Sequence, residues 1–131
     1  ASSRCRPALR RLPASAIGLL STAVLNMNNM RDYEADKNAG KRTFVVKMGI
    51  PKARFYHLLL ISGAFTALGI FGIIRFESIW QWLFLLSTPI FAINLNKVFT
   101  FSQGKELFPE LARVSIGTLI FTLLFLIGIL L

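Results

Sequence analysis

Apolar residues run along the chain in four long blocks instead of alternating with polar ones: Ala14–Met30, Phe55–Ile74, Ser78–Phe99 and Leu111–Leu131. A helix needs about 20 mostly apolar residues, at ~1.5 Å rise each, to cross a hydrocarbon core of ~30 Å. The block FYHLLLISGAFTALGIFGII meets this without a charge, and Gly63, Ala64, Gly69 and Gly72 allow close helix packing. Ser78–Phe99 opens on Trp80 and Trp82, which suit an interfacial aromatic belt, and Pro89 is expected to kink it. Leu111–Leu131 carries no charge after Arg113. Ala14–Met30 is shorter and ends in asparagines, as in a span whose polar end lines a cavity. Helices are therefore expected near 14–36, 55–74, 78–99 and 111–131, giving an all-α, polytopic transmembrane bundle of about four helices.

Composition supports a bilayer as solvent. Hydrophobic residues make up 54% of the 131 and charged residues 16%, where soluble domains run nearer a quarter charged. The net charge of +9 could suggest nucleic acid in a soluble protein, but these basic residues lie between apolar blocks, so no nucleic-acid partner is expected. Arg31, Lys37, Lys41, Arg42, Lys47, Lys52 and Arg54 crowd one connection, and Lys97 and Lys105 another; the Arg75–Glu77 turn has one basic residue. Alternating sides puts the two basic connections on one face, cytoplasmic by the positive-inside rule.

The opening ASSRCRPALRRLP breaks this pattern, because a first span would leave its four arginines outside. No A-x-A-like site after Ala14–Met30 favours a signal peptide. Residues 1–13 are read as an atypical Arg-rich leader, non-native or disordered, and 14–131 as the C-terminal part of a longer membrane protein. Cys5 is the one cysteine, which rules out an internal disulfide.

Polar chemistry concentrates in NMNNMRDYEADKNAGKRT, Asn26 to Thr43. If the first helix continues a turn or two, Asp32 and Asp36 project from one face. Like charges at that spacing destabilise a helix unless something sits between them. Mg²⁺ is the natural candidate, being held by one or two carboxylates plus substrate phosphates. Arg31, Lys37, Lys41 and Arg42 supply the positive field a diphosphate needs, and Asn28 and Asn29 offer neutral polar groups at the membrane boundary. From spacing alone, a solvated loop with mixed charges remains an equal reading. A phosphate-loop reading of GKRT fails, because Ala35 and Arg42 stand where Gly and Ser or Thr are needed.

N-N-x-R-D-x-x-x-D-x-x-x-G-K-x-T, with Gly49 beyond it, resembles the second aspartate-rich motif of the UbiA superfamily of intramembrane prenyltransferases. The residues carrying the likeness are Asn28, Asn29, Arg31, Asp32, Asp36, Gly40, Lys41, Thr43 and Gly49. The paired asparagines and the R-D step are most similar to the branch acting on 1,4-dihydroxy-2-naphthoate in menaquinone biosynthesis. The order of helix, motif loop and three further helices agrees with the C-terminal part of the family's nine-helix bundle.

The resemblance implies transfer of a polyprenyl group from polyprenyl diphosphate to the naphthoate ring, with loss of CO₂ and diphosphate. It implies Mg²⁺ on Asp32 and Asp36, the catalytic pair, with Arg31 and Lys41 facing the diphosphate. Lys37 and Arg42 assist, and Asn28 and Asn29 line the pocket. It implies the inner (cytoplasmic) membrane, with the motif on the cytoplasmic side. The family uses two such motifs, and the first has no counterpart in this sequence, so the 131 residues alone are expected to be inactive without the missing N-terminal half. Rivals are a UbiA-type enzyme for another aromatic acceptor and a non-catalytic membrane subunit; the CDP-alcohol phosphatidyltransferase signature does not fit.

Elsewhere the sequence offers little chemistry. His57 reads as an interfacial ring, Asn94 and Asn96 as helix-to-helix hydrogen-bonding groups, and Glu106 and Glu110 as parts of a plain solvated connection.

Overall fold

Turn and cap residues cut the chain where its apolar blocks end. The computed structural model describes residues 5–131, with side chains from residue 10 onward. Helix α1 (Cys5–Arg31) is followed by two short helices, α2 (Tyr33–Asn38) and α3 (Phe44–Met48), and then by α4 (Ile50–Ile74). A 3-10 stretch, Ile79–Ser87, runs into α5 (Thr88–Thr100), and a 3-10 turn, Gly104–Leu107, runs into α6 (Phe108–Leu130). No strand occurs among the described residues. Residues 1–4 of the Arg-rich leader lie outside the described residues, and α1 starts upstream of Ala14 at Cys5.

The connection from α1 to α4 is tightly specified. Gly40 at φ 75° reverses the chain after α2, a left-handed conformation that costs a side-chain-bearing residue energy. Thr43 caps α3, its hydroxyl accepting from the Val46 amide at 3.2 Å. Gly49 at φ 87° closes α3 and opens α4, with proline in the first turn of α4.

The long helices pack at helical spacing. α4 buries Ala53, His57, Leu60, Ile61, Ala64, Leu68 and Gly72, and α6 buries Glu110, Val114, Gly117, Phe121, Phe125 and Gly128. α1 lies along α4, while α6 lies against the 3-10 stretch and α1. Small residues permit the close approaches. A Cβ on Gly72 would meet the Trp82 ring at 2.9 Å, and one on Gly128 would collide with the Trp80 carbonyl. Between the helices, Phe65 contacts Phe84, Phe91 and Phe121 with ring centroids 5.1 to 6.0 Å apart, within the range of favourable edge-on aromatic packing.

Among the described residues, three helices are long and apolar enough to cross a membrane: Ile50–Ile74, Ile79–Thr100 and Gly104–Leu130. Ile73, Leu86 and Leu130 are 72%, 67% and 84% exposed, the outward apolar surface a bilayer would cover. The first helix forms where expected but does not reach that apolar length. Its outward residues include Ser15, Gly18, Ser21 and Leu25, with Asn28 and Asn29 half-buried.

Four expectations change. Pro89 does not kink an α-helix; it sits in the first turn of α5, where the preceding residues wind as a 3-10 helix and its missing N–H costs least. Trp82 packs inward on Gly72 and Phe84 and so does not join an outer belt, although Trp80 is half exposed. His57 is fully buried and bonded to Asn94, not interfacial. Glu110 is buried in the bundle at 3% exposure, because Asn94 and Arg113 satisfy its carboxylate there.

Candidate functional site

Arg31 ends α1, but the hydrogen-bond ladder carries past it. The Asp32 amide donates to the Asn28 carbonyl at 3.1 Å, and the Asp36 amide to the Asp32 carbonyl at 2.8 Å. Asp32, at φ −92° and ψ 8°, bends the path without losing the four-residue step. The two carboxylates thus stand one turn apart along a nearly continuous helix. Gly40 then turns the chain back, and the Lys41 amide donates to the Asp36 carbonyl at 2.8 Å.

Arg31 organises this end of α1. Its Nε and Nη2 donate to the two oxygens of Asp32 at 2.9 and 3.1 Å, a forked pair. Nη2 also donates to Asn28 Oδ1 at 2.6 Å, and the guanidinium lies 4.9 Å from the centroid of the Phe108 ring. The hydrogen bonds from Arg31 hold the Asp32 carboxyl below its usual value; partial burial opposes them, and the charges of Arg31 and Lys41 add a smaller push down. Asp32 is therefore an anion at neutral pH.

Asp36 is well covered, its side chain 14% exposed, and Lys41 Nζ stands 4.0 Å from its Oδ1. Lys37 turns elsewhere, its ammonium 5.7 Å from the Tyr33 ring centroid. Arg42 is exposed. Asn29 lines a small apolar cavity of about 230 Å³ with Thr22, Leu25, Asn26, Phe44 and Tyr56. Asn26 Nδ2 donates to the Ala53 carbonyl at 3.2 Å, and its Oδ1 has no partner. The structure thus brings Asn28, Arg31, Asp32, Asp36 and Lys41 together at one bend, and separates Lys37 and Arg42 from the carboxylates.

Among the described residues, no group of three or more His, Cys, Asp or Glu side chains is placed to hold a metal ion. Two carboxylates at a helical step nevertheless suit Mg²⁺, which keeps several waters and shares its oxygen ligands with phosphates. Asp36, with its one cationic neighbour at the 4.0 Å limit of an ion pair, has free acceptor capacity for such an ion.

Sequence reasoning missed two features. The connection Phe101–Lys105 folds against the end of α1, so close that a Cβ on Gly104 would collide with the Arg31 carbonyl. Arg54 joins it, Nη2 donating to the Phe101 carbonyl at 2.7 Å. The placement of the two basic connections at one end was legible from alternating sides; their contact was not. The second feature is a buried chain: His57 Nε2 lies 2.8 Å from Asn94 Oδ1, Asn94 Nδ2 donates to Glu110 Oε2 at 3.2 Å, and Glu110 is paired with Arg113. Asn94 hydrogen-bonds between helices as expected, but its partners sit far apart in sequence and form no motif.

Residues 7–108 match the UbiA prenyltransferase family. The chain belongs to the UbiA prenyltransferase family. This family member is 42% identical over 118 residues to a 1,4-dihydroxy-2-naphthoate octaprenyltransferase of Escherichia coli (strain K12), covering 90% of the chain and 38% of the relative. It is 41% identical over 119 residues to the enzyme of that name in Haemophilus influenzae (strain ATCC 51907 / DSM 11121 / KW20 / Rd), covering 91% and 39%. A Mycobacterium tuberculosis (strain ATCC 25618 / H37Rv) protein of the same name is 30% identical over 112 residues, covering 84% and 37%. The chain therefore spans well under half the length of these curated relatives. No solved structure matches it.

Proposed function

We propose that this chain supplies the second aspartate-rich half of an intramembrane site that transfers a polyprenyl group from polyprenyl diphosphate to 1,4-dihydroxy-2-naphthoate. The allylic C–O bond breaks and diphosphate leaves with the electron pair. The ring carbon bearing the carboxyl group supplies electrons to the new C–C bond, and that carboxyl group departs as CO₂. The product is the hydroquinone demethylmenaquinol, since no step changes the oxidation state of the ring. The observation that carries the reading is the bend at the end of α1, where Asp32 and Asp36 stand one turn apart between Arg31 and Lys41; the printed names of the relatives supply the substrates.

Each residue has a role in this reading. Asp32 and Asp36 would hold Mg²⁺, which would supply positive charge to the departing diphosphate. Arg31, anchored on Asp32 and Asn28, and Lys41, beside Asp36, face the diphosphate oxygens. Lys37 and Arg42 add to the positive field without direct contact, and Asn28 and Asn29 line the head of the cavity. The prenyl tail lies along the apolar helices. The motif stands on the cytoplasmic side of the inner membrane, where the basic connections belong.

The site is completed by a first aspartate-rich motif that these 131 residues do not contain, so the chain alone is inactive. The test is a transferase assay in nanodiscs with Mg²⁺, polyprenyl diphosphate and dihydroxynaphthoate. No turnover is expected from the chain alone. Turnover is expected when it is co-expressed with the part of the Escherichia coli relative that it does not match. Product from the chain alone would refute the half-site. Product from the reconstituted protein carrying Asp36→Asn would refute the role of the pair.

A further inference from the structure

A cavity beside the bend shares Arg31 with the aspartate pair, while neither Asp32 nor Asp36 lines it. It holds about 600 Å³ and opens between the end of α1, the start of α4 and the Phe101–Lys105 connection. Arg31, Arg54 and Lys105 line it, with Glu34 the one acid in its wall. The chain's other five acids are committed elsewhere: Asp32 to Arg31, Asp36 to Lys41, Glu77 to Arg75, Glu106 to Lys97 and Glu110 to Arg113. Among the described residues, Arg54 and Lys105 have no carboxylate at ion-pair distance.

Arg54 is also held in place. Its guanidinium lies 4.7 Å from the Phe101 ring centroid, Nη2 donates to the Phe101 carbonyl, and Nε is buried without a partner. A buried charged donor left unpaired carries a desolvation cost that an anion relieves. The cavity lies where α4 begins and just beyond the end of α5, at one end of two helices long and apolar enough to cross a membrane.

We propose that this cavity binds a phosphate group through Arg54 and Lys105, carried either by an acidic phospholipid headgroup or by a water-borne diphosphate. Arg54 presents a fixed guanidinium edge, and Lys105, exposed at the mouth, adds a movable charge. The site needs no metal and stands whether or not the aspartate pair does what is proposed above.

The test uses the full chain in nanodiscs of phosphatidylcholine with or without phosphatidylglycerol, in EDTA so that metal-dependent binding is silent. Native mass spectrometry counts retained lipid, and thermal melts follow added inorganic pyrophosphate. Preferential retention of phosphatidylglycerol, reduced about tenfold by Lys105→Gln and by Arg54→Gln, assigns the site to a lipid headgroup. A pyrophosphate-induced rise in melting temperature, lost in the same variants, assigns it to a water-borne phosphate. Lys105→Gln alters an exposed side chain, so its effect stands even if Arg54→Gln fails to fold. Lys52→Gln, an exposed cation outside the cavity wall, should change neither readout. Equal retention of the two lipids with no pyrophosphate effect, or an equal loss in Lys52→Gln, would overturn the proposal.

Discussion

Asp32 and Asp36 meet their cationic partners at a bend at the end of the bundle, whereas Glu110 meets Arg113 and Asn94 inside it. The residue types are alike and the surroundings opposite. The Asp32 side chain is 38% exposed and Asp36 is held by one distant ammonium, so each can exchange its partner for an incoming ligand at little cost. Glu110 is nearly sealed, and three helices converge on it through His57, Asn94 and its own α6. A loosely committed acid at a bend suits binding; a fully committed acid in a packed core suits register and stability. Substitutions should therefore separate the regions, the first losing activity without unfolding and the second losing fold.

The largest separation should come from the pair. In the reconstituted protein, Asp32→Asn or Asp36→Asn should lower transfer by about a hundredfold or more, the scale for losing a group that stabilises departing charge. Melting temperature should move little, because the exposed Asp32 pair contributes under about 1 kcal/mol and the Asp36 pair stands at the 4.0 Å limit with a mostly exposed ammonium. Radiolabelled product formation and a thermal melt on the same preparation check both halves. A variant that melts early and loses activity in proportion would assign the pair to structure.

How much of this was legible beforehand follows from the same contrast. The bend declares itself locally: N-N-x-R-D-x-x-x-D sits in one stretch, helical spacing orders it, and Gly40 marks the turn. The long helices were legible for the same reason, since each apolar block is continuous. Glu110 was not, because a glutamate after Pro109 looks like a loop residue until α5 brings Asn94 against it. Glu106, four positions earlier, does serve the connection, its Oε2 accepting from the Ser102 and Gln103 amides at 2.8 and 2.7 Å. His57 looked interfacial because its partner lies 37 positions away. Arg54 had no visible role until the Phe101 carbonyl was found beside it.

The core network supplies the next two tests. Glu110→Ala removes the acceptor for both Asn94 and Arg113 and should destabilise by about 3 kcal/mol, near the lower range for breaking a buried pair because Arg113 can turn to water. Glu110→Gln should recover part of that loss, as it keeps an acceptor for Asn94. His57→Leu leaves Asn94 Oδ1 without its donor and should cost about 1–2 kcal/mol. Unfolding in graded SDS ranks the three, and surviving folded protein should transfer at the normal rate per molecule. A normal melt with lost turnover in His57→Leu would instead move His57 into the site.

The smallest effect tests whether Asp32 is held as loosely as the comparison requires. Arg31 keeps the carboxyl below its ordinary 3.8 in the folded protein, so folding favours the deprotonated form. That contribution is fully present above the unfolded value near 3.8 and is lost as pH falls through the lower folded value. It should amount to well under ~1 kcal/mol after allowing for solvent around a side chain 38% exposed. Between pH 5 and 8 the melting difference between the parent chain and Asp32→Asn should then be constant, shrinking only below about pH 4. A difference that changes steadily across pH 5 to 8 would mean the Asp32 carboxyl titrates there, and would remove the anion at neutral pH on which the proposed metal binding at the bend depends.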